Sequence, residues 1–228
     1  MSTQLMQASR QWATRPADER FTSLYEMSEH FATQRNRSRE VITASRKLEV
    51  VPTSSKDLVV QGMNHVPYAP THHAFGQLAT LAGAPAGYLR TLPAPLAADA
   101  LNYGLQYARD IEDVGLLLYK NGDSVLRCAT GPKYGRIWNA DIVAGMARIF
   151  GDGVSGDWKV PGEFGKDVEV TKANTTLFAG DRDMFVFLAD EKNRIELPNR
   201  RDGKTGLMAR GFFVWNSEVG SSTFGVSR

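Results

Sequence analysis

The sequence predicts an α+β protein with a helical N-terminal half and a β-rich C-terminal half, whose sheet is mixed or antiparallel. Apolar residues recur at helical spacing between proline and glycine boundaries as far as about Phe150. Beyond Gly156 the apolar runs become short and rich in β-branched and aromatic residues, which is typical of strands. Segregation of helical and strand patterns along one chain is characteristic of the α+β class.

Length and composition are those of an ordinary globular chain. It has 228 residues, of which 42% are hydrophobic, and a formal net charge of +2, which is too small to indicate nucleic acid by itself. We expect a loose arm over residues 1–15 and a single domain over residues 16–228, with a boundary near residue 110 or 151 as the alternative. A strand-like run over residues 223–226 stops at Arg228, so we also expect the natural protein to extend further.

Cysteine use and hydropathy bear on the location of the protein. Cys128 is the single cysteine and cannot form an internal disulfide. The N-terminus lacks a hydrophobic signal segment, and no apolar run approaches the roughly 20 residues that a membrane span needs. We therefore expect a cytoplasmic protein without a membrane partner.

The N-terminal elements are predicted from apolar spacing and capping residues. Pro16 and the acids after it favour a helix over residues 17–34. The basic residues 35–47 fit either a phosphate-contacting segment or a solvated helix end and linker, and we favour the latter. Residues 48–52 and 58–61 are predicted as two strands or a hairpin.

Three further helices and two hairpins follow. Thr71 is a predicted cap of a helix that stops at Gly83, a short turn occupies residues 85–93, and a helix covers residues 97–109. Asn121-Gly122 between two apolar runs predicts a hairpin. Asn139 is a predicted cap of a helix over residues 140–150. Residues 175–188 are predicted as a second hairpin.

The stretch over residues 209–220 is the clearest strand signal. Two phenylalanines, a valine and a tryptophan run directly into Asn216, Ser217 and Glu218. A β-branched and aromatic run bounded by glycines predicts a buried strand. We expect the polar triplet to lead out of this strand to a surface.

Catalytic motifs are absent from the sequence. It contains no nucleophile elbow, phosphate-binding loop or dinucleotide fingerprint, and its adjacent histidines, His72 and His73, point to different faces of a helix. Asp181 and Asp183 fit a metal-dependent nuclease, but a turn is the better interpretation. Cys128 lies in a predicted strand and is expected to be a small buried apolar residue. We therefore expect no catalytic residue, metal or cofactor, and we favour a protein that is not an enzyme.

Basic residues interleaved with aromatic ones are the remaining functional signal. Such pairing is typical of proteins that hold single-stranded nucleic acid, because cations follow the phosphates while aromatic rings stack on bases. Tyr134 and Trp138 also fit positions in the core. The predicted nucleic-acid-binding residues are Arg127, Lys133, Tyr134, Arg136, Trp138, Arg200, Arg201, Lys204 and Arg210.

Several motifs together resemble a phage- and plasmid-associated family of domains of unknown function. The resemblance rests on THHAFGQLA from Thr71, GAPAGYL from Gly83, LN from Leu101, CATGPKYGRIWNAD from Cys128 and GFFVWNSEVGSS from Gly211. The family usually has an arginine-led Ser-Asp-Arg-Tyr turn where this chain reads Gly-Pro-Lys-Tyr. The resemblance covers about residues 62–228 and implies a mobile genetic element, but no particular reaction.

The leading hypothesis is a phage or plasmid accessory protein that binds single-stranded DNA, of the annealing type used in recombination. Annealing proteins commonly work as rings or filaments, so a homo-oligomer is a dependent prediction. One alternative is a module that binds and inhibits a host defence protein in the cytoplasm of the host cell. A second alternative is a metal-dependent nuclease that uses Asp181 and Asp183.

Overall fold

A computed structural model of the protein describes residues 15–62, 66–107, 113–161, 169–198, 203 and 205–227. Helices and several sheets share these residues, which confirms the α+β class. No helix within these ranges is long and apolar enough to cross a membrane. Of the predicted loose arm, residues 1–14 lie outside the described ranges. Arg15 is held in place, because its guanidinium pairs with Glu19 at 2.9 Å and with Asp183 at 2.5 Å.

The regular elements are numbered in chain order. The strands are β1 (Arg20–Phe21), β2 (Ser38–Ala44), β3 (Glu49–Pro52), β4 (Leu58–Gln61), β5 (Ala69–Pro70), β6 (Asp113–Asn121), β7 (Asp123–Thr130), β8 (Trp158–Lys159), β9 (Leu177–Ala179), β10 (Met184–Leu197), β11 (Gly206–Asn216) and β12 (Gly225–Ser227). The helices are α1 (Leu24–Asn36), α2 (His72–Leu81), α3 (Ala86–Leu89), α4 (Ala94–Tyr107) and α5 (Asn139–Phe150).

The chain divides into two compact units. The contiguous unit is Gln34–Arg136, and the discontinuous unit combines the described residues of Met1–Thr33 with those of Ile137–Arg228. The boundaries between the units follow Thr33 and Arg136, and they do not coincide with the alternative domain boundaries near residues 110 and 151. Two compact units can belong to one domain that folds cooperatively, so the single domain over residues 16–228 stays a prediction.

The contiguous unit contains a mixed sheet and a separate hairpin. The sheet order is β2-β6-β7-β5, in which β5 and β7 run parallel and the other pairs are antiparallel, while β3 pairs with β4. Apolar residues of α2 and α4 form one core with residues of β6 and β7. Members of this core include Leu78, Leu101, Leu105, Val114, Leu116, Leu118 and Leu126.

Local signals place most elements of this unit correctly. The Thr71 hydroxyl accepts a 3.1 Å hydrogen bond from the Ala74 N–H and caps α2, and Gly83 follows the helix at φ +67°. Gly122 turns the chain between β6 and β7 at φ +79°, which confirms the hairpin. Helix α4 begins at Ala94, earlier than the predicted residue 97, and contains Pro95 in its first turn. Proline is tolerated there because the N–H that it lacks would have no helical partner.

Two segments differ from the sequence-based expectation. Helix α1 begins at Leu24, and β1 precedes it where the sequence predicts helix from residue 17. Ser23 and Glu26 fix this start: the Ser23 hydroxyl accepts from the Glu26 N–H at 3.1 Å, as an N-cap does, and the Glu26 carboxylate accepts from the Thr22 N–H at 2.7 Å. The segment predicted as helix end and linker contains strand β2, whose β-branched residues 41–43 pair with β6.

The discontinuous unit is built on an antiparallel sheet. Its strand order is β1-β9-β10-β11-β12, and β8 also pairs with β10. The predicted hairpin of β9 and β10 is confirmed, since the Gly180 N–H donates to the Asp183 carbonyl at 2.9 Å. Helices α1 and α5 share a core with one face of this sheet, which we call the helix face. Its core includes Leu24, Met27, Phe31, Val143, Leu177, Met184, Val186, Leu188, Phe212 and Val214.

Candidate nucleic-acid interface

The predicted binding residues of the contiguous unit differ in exposure. Lys133 is exposed, but Arg127 is only 5% exposed and the Arg136 side chain only 4%. The Arg136 guanidinium bonds Glu40 at 2.6 Å and lies over the Tyr134 ring, 5.3 Å from its centroid. The structure therefore brings Tyr134 and Arg136 together, while little of either arginine reaches solvent.

The same guanidinium also reaches the single cysteine. Nη1 of Arg136 lies 3.6 Å from Sγ of Cys128, which is fully buried in β7. Burial raises the pKa of this thiol, and the nearby Arg136 charge lowers it by less. A buried thiol with a raised pKa is a poor nucleophile at neutral pH, in keeping with its interpretation as a small core residue.

The remaining predicted residues belong to the discontinuous unit. Trp138 is half-buried directly before α5, and Arg210 of β11 is exposed but pairs with Asp190 at 2.6 Å. Arg200, Arg201 and Lys204 lie outside the described residues. The nucleic-acid role of the nine residues stays a prediction.

The sheet face opposite the helix face carries a row of aromatic side chains that sequence reasoning missed as a unit. Phe178 is buried there, and Phe185, Phe187, Phe213 and Trp215 are half-buried. Neighbours on β10 and β11 are direct cross-strand partners, Phe185 with Trp215 and Phe187 with Phe213. The last two rings are stacked with centroids 4.4 Å apart, and Phe185 lies 5.6 Å from Phe213. We call these five residues the aromatic face.

Two glycines make room for rings on this face. A Cβ at Gly211 would lie 2.6 Å from the Phe187 ring, and a Cβ at Gly225 would overlap the indole of Trp215. Each ring therefore lies across the bare backbone of a neighbouring strand. The sequence signal for this arrangement was present as Phe-x-Phe on β10 and Phe-x-Trp on β11, but only the strand register places the two pairs side by side.

The polar triplet that begins at the last residue of β11 is buried, so its predicted lead to a surface is wrong. Asn216, Ser217 and Glu218 are 2%, 2% and 3% exposed. Nδ2 of Asn216 donates to Oδ1 of Asn139 at 2.7 Å, and Oε1 of Glu218 accepts from the Asn139 N–H at 2.8 Å. The Ser217 hydroxyl donates to the Arg182 carbonyl at 2.5 Å.

This network also corrects the predicted cap of α5. Asn139 is the first residue of the helix, and its side chain bonds Asn216 where the sequence predicts a cap from its own side chain. The carboxylate of Glu218 accepts the hydrogen bond of the Asn139 N–H at the start of the helix. The positive end of the helix dipole also favours a negative charge at this position. The triplet is therefore tied to helix α5.

The acidic pair considered for metal binding lies in a turn. Asp181 is exposed, and Asp183 holds Arg15 through an ion pair of 2.5 Å. Across the described ranges, no group of three or more histidine, cysteine, aspartate or glutamate residues is placed to hold a metal ion. Of the histidines in the sequence cluster, His65 lies outside those ranges, while His72 and His73 begin α2.

Asp190 holds an irregularity in the middle of β10. It is 1% exposed, accepts the Asn193 N–H at 2.9 Å and pairs with Arg210 of β11. The register of β10 against β11 shifts between Asp190 and Ile195. Burial by itself would raise the pKa of Asp190, but the hydrogen bonds from Asn193 and Arg210 together outweigh it and lower that pKa.

We expect Asp190→Asn to destabilise the protein in a pH-dependent way. Because the folded pKa is lowered, the ionised carboxylate stabilises the fold above the unfolded pKa of about 3.9, and this stabilisation is lost as the pH falls through the folded value. Urea unfolding between pH 7 and pH 3 measures the free energies of unfolding of the wild type and the variant. The difference between the two free energies should become smaller as the pH falls. A difference that is constant with pH would contradict the ionised pair.

Compared with protein-family models, curated proteins and solved structures, the chain has no significant match, so its resemblance to phage and plasmid proteins stays a prediction.

Proposed function

We propose that this protein binds single-stranded DNA and that the aromatic face is where bases stack. The observation that carries the proposal is the row of cross-strand aromatic partners on β10 and β11. Bases present a π-face whatever their sequence, so an aromatic sheet surface binds single strands with little sequence preference. A sheet that stacks bases on aromatic side chains is also a common way to bind single-stranded RNA.

Trp215 is the proposed main stacking residue. Its indole lies across Gly225 of β12, the last strand in the sheet order, and is half-buried. A large flat ring beside an edge strand offers a broad surface with few rotatable bonds, so little conformational entropy is lost when a base stacks on it.

An exposed cation lies close in sequence to the aromatic residues of β10. Arg182 is exposed in the turn that leads into β10, three residues before Phe185. The Ser217 hydroxyl fixes its carbonyl at 2.5 Å, so the backbone that carries the guanidinium is held. In the proposal Arg182 contacts a phosphate of the strand whose base stacks on Trp215. Exposed Lys133 remains a proposed phosphate contact in the contiguous unit.

We expect Trp215→Ala to weaken binding of a single-stranded oligonucleotide by about 5- to 150-fold, since one base stack contributes about 1–3 kcal/mol. Fluorescence anisotropy with a labelled 20-nucleotide strand at low salt measures the change. Tyr25→Ala is the matched control, because Tyr25 is a 55% exposed aromatic residue on α1 of the same unit. Equal affinities of wild type and Trp215→Ala, or no binding by the wild type, would remove the proposal.

The broader proposal is an annealing-type accessory protein of a phage or plasmid that acts in the host cytoplasm, with a homo-oligomer as its working form. The aromatic face supports only the single-strand step of that proposal. Light scattering with and without DNA tests the oligomer, and acceleration of pairing between complementary strands tests annealing.

The second candidate, a module that binds a host defence protein, is favoured by the surface of α4. Leu96, Tyr103 and Tyr107 are 55%, 70% and 66% exposed, and the two tyrosine rings lie 4.9 Å apart. These positions fall on one helical face, and exposed aromatic residues are enriched at protein interfaces. The salt dependence of binding distinguishes the DNA-binding proposal from this second candidate. The affinity for phosphates falls steeply with added salt, whereas the affinity of an apolar protein interface changes much less.

A further inference from the structure

Asn121 and Gly122 form the exposed tip of the hairpin between β6 and β7. This is the only place in the sequence where glycine follows asparagine. The carboxamide of an asparagine can be attacked by the backbone nitrogen of the next residue, which closes a five-membered ring. Glycine allows the closest approach, because it has no Cβ to stand in the way. The tip therefore places a reactive pair of groups next to each other.

The attacking nitrogen is accessible at this tip. Gly122 is the single residue between the two strands, where Asn121 is paired with Asp123. Its φ is +79°, and its N–H donates to no backbone carbonyl among the described residues. Asn121 and Gly122 are both exposed, so water reaches them. The nitrogen therefore gives up no backbone hydrogen bond within the described structure when it attacks.

A guanidinium contacts the group that is attacked. Nη1 of Arg37 donates to Oδ1 of Asn121, the oxygen of the carboxamide. Arg37 lies directly before β2 and is held there, because its carbonyl accepts the Lys120 N–H at 3.2 Å. Negative charge develops on Oδ1 as the nitrogen adds to Cγ, and a charged donor at that oxygen stabilises it. Arg37 is therefore placed to promote the reaction.

Asn216 provides a contrast within the same chain. It also precedes a small residue, Ser217, but it is only 2% exposed. Its Nδ2 donates to the Ile137 carbonyl at 2.8 Å and to Oδ1 of Asn139 at 2.7 Å. A buried carboxamide that is fixed by two hydrogen bonds has to break them before it can turn toward the next backbone nitrogen. The fold therefore favours reaction at Asn121 over reaction at Asn216.

We propose that Asn121 is a site of spontaneous deamidation, which Arg37 promotes. The Gly122 nitrogen bonds to Cγ of Asn121, and its proton passes through water to the carboxamide nitrogen, which leaves as ammonia. Water then opens the cyclic imide at one of its two carbonyls and gives aspartate or isoaspartate. Water is the only reactant consumed, and no redox step occurs. This chemistry does not depend on whether the protein binds DNA.

The two products alter the tip in different ways. Aspartate replaces the neutral acceptor at Arg37 by a carboxylate, so the contact becomes an ion pair. Isoaspartate adds a carbon to the backbone beside the pair of Asn121 with Asp123 and so disturbs the register of the hairpin. Each product lowers the formal net charge of the chain from +2 to +1. A more acidic form of the protein therefore accumulates with time.

The site is tested by incubating the full chain at mildly alkaline pH, then digesting it and measuring peptide masses. We expect the mass gain of an amide-to-acid conversion in the peptide that contains Asn121 well before it appears at Asn216. Incubation in urea should release Asn216 and reduce this difference. Asn121→Gln should lose the reaction at this position, because the ring that glutamine would form is six-membered and closes more slowly.

Arg37→Gln tests the part played by the guanidinium. The variant keeps a hydrogen-bond donor but removes the charge, and the rate at Asn121 should fall by about threefold to tenfold, since a charged donor contributes more than a neutral one. Arg39→Gln is the matched control, because Arg39 is an exposed arginine on β2. In the folded protein, an unmodified Asn121 or equal rates at Asn121 and Asn216 would overturn the site. A rate that Arg37→Gln leaves unchanged or raises would overturn the role of Arg37.

Discussion

Replacing Glu218 by alanine is expected to lower the free energy of unfolding by about 2–3 kcal/mol. The carboxylate is 3% exposed and accepts a 2.8 Å hydrogen bond from the N–H of Asn139, the first residue of α5. The variant leaves that N–H buried, and the loss of a hydrogen bond to a charged group is more costly than the loss of a neutral one. Urea unfolding followed by far-ultraviolet circular dichroism measures the change.

Glu29→Ala provides the matched control for Glu218. Glu29 is an exposed glutamate on α1 of the same unit, and surface substitutions of this kind usually change stability by less than about 0.5 kcal/mol. If the two alanine variants had the same stability, the Glu218 carboxylate could not be what holds the N-terminus of α5.

We expect Gly104→Ala to destabilise the protein by about 1–3 kcal/mol, although alanine has the higher helix propensity. Gly104 lies in α4, and a Cβ there would lie 2.6 Å from the Cβ of Ala82 and overlap the Ala82 carbonyl oxygen. Backbone atoms at the end of α2 cannot move aside as a flexible side chain would. The clash therefore exceeds the gain of about 1 kcal/mol that alanine brings to a helix interior.

Gly145→Ala should have the opposite sign. Gly145 lies within α5, and apart from its chain neighbours and the backbone of its own helix no described atom stands within 4 Å of a Cβ built there. Alanine should stabilise this helix by up to about 1 kcal/mol. Thermal and urea unfolding of the two variants side by side measure the contrast. Two stabilising substitutions would mean that α2 and α4 do not approach as closely at Gly104 as the structure shows.

The elements that sequence reasoning finds are those whose cause lies within a few residues. Thr71 caps the helix that begins immediately after it, and Asn121-Gly122 closes the hairpin of which it is part. The start of α1 was also encoded locally, in Ser23 and Glu26, but the acids after Pro16 were the more conspicuous signal. Strand β2 was hidden because its β-branched run lies among arginines.

The features of the candidate site that the sequence could not provide depend on distant partners. Glu218 is buried because it meets a helix N-terminus 79 residues earlier in the chain. Arg136 looked like a surface cation, but it bonds a carboxylate on Glu40, 96 residues away. The aromatic face similarly depends on the register of β10 against β11. Residue type and spacing carry no information about such partners.

The division of the discontinuous unit sets an order of events during synthesis of the chain. The hydroxyl of Thr175 bonds the carbonyl of Phe21, 154 residues earlier. At about 5–20 residues per second, the ribosome needs roughly 8–30 seconds to make the chain between them. The ribosome makes all of Gln34–Arg136 during that interval. The strands that cover the apolar side of α1, with Met27 and Phe31, are made only afterwards. The apolar side of that helix therefore stays without its sheet partners in the nascent chain until the strands of the discontinuous unit have been made.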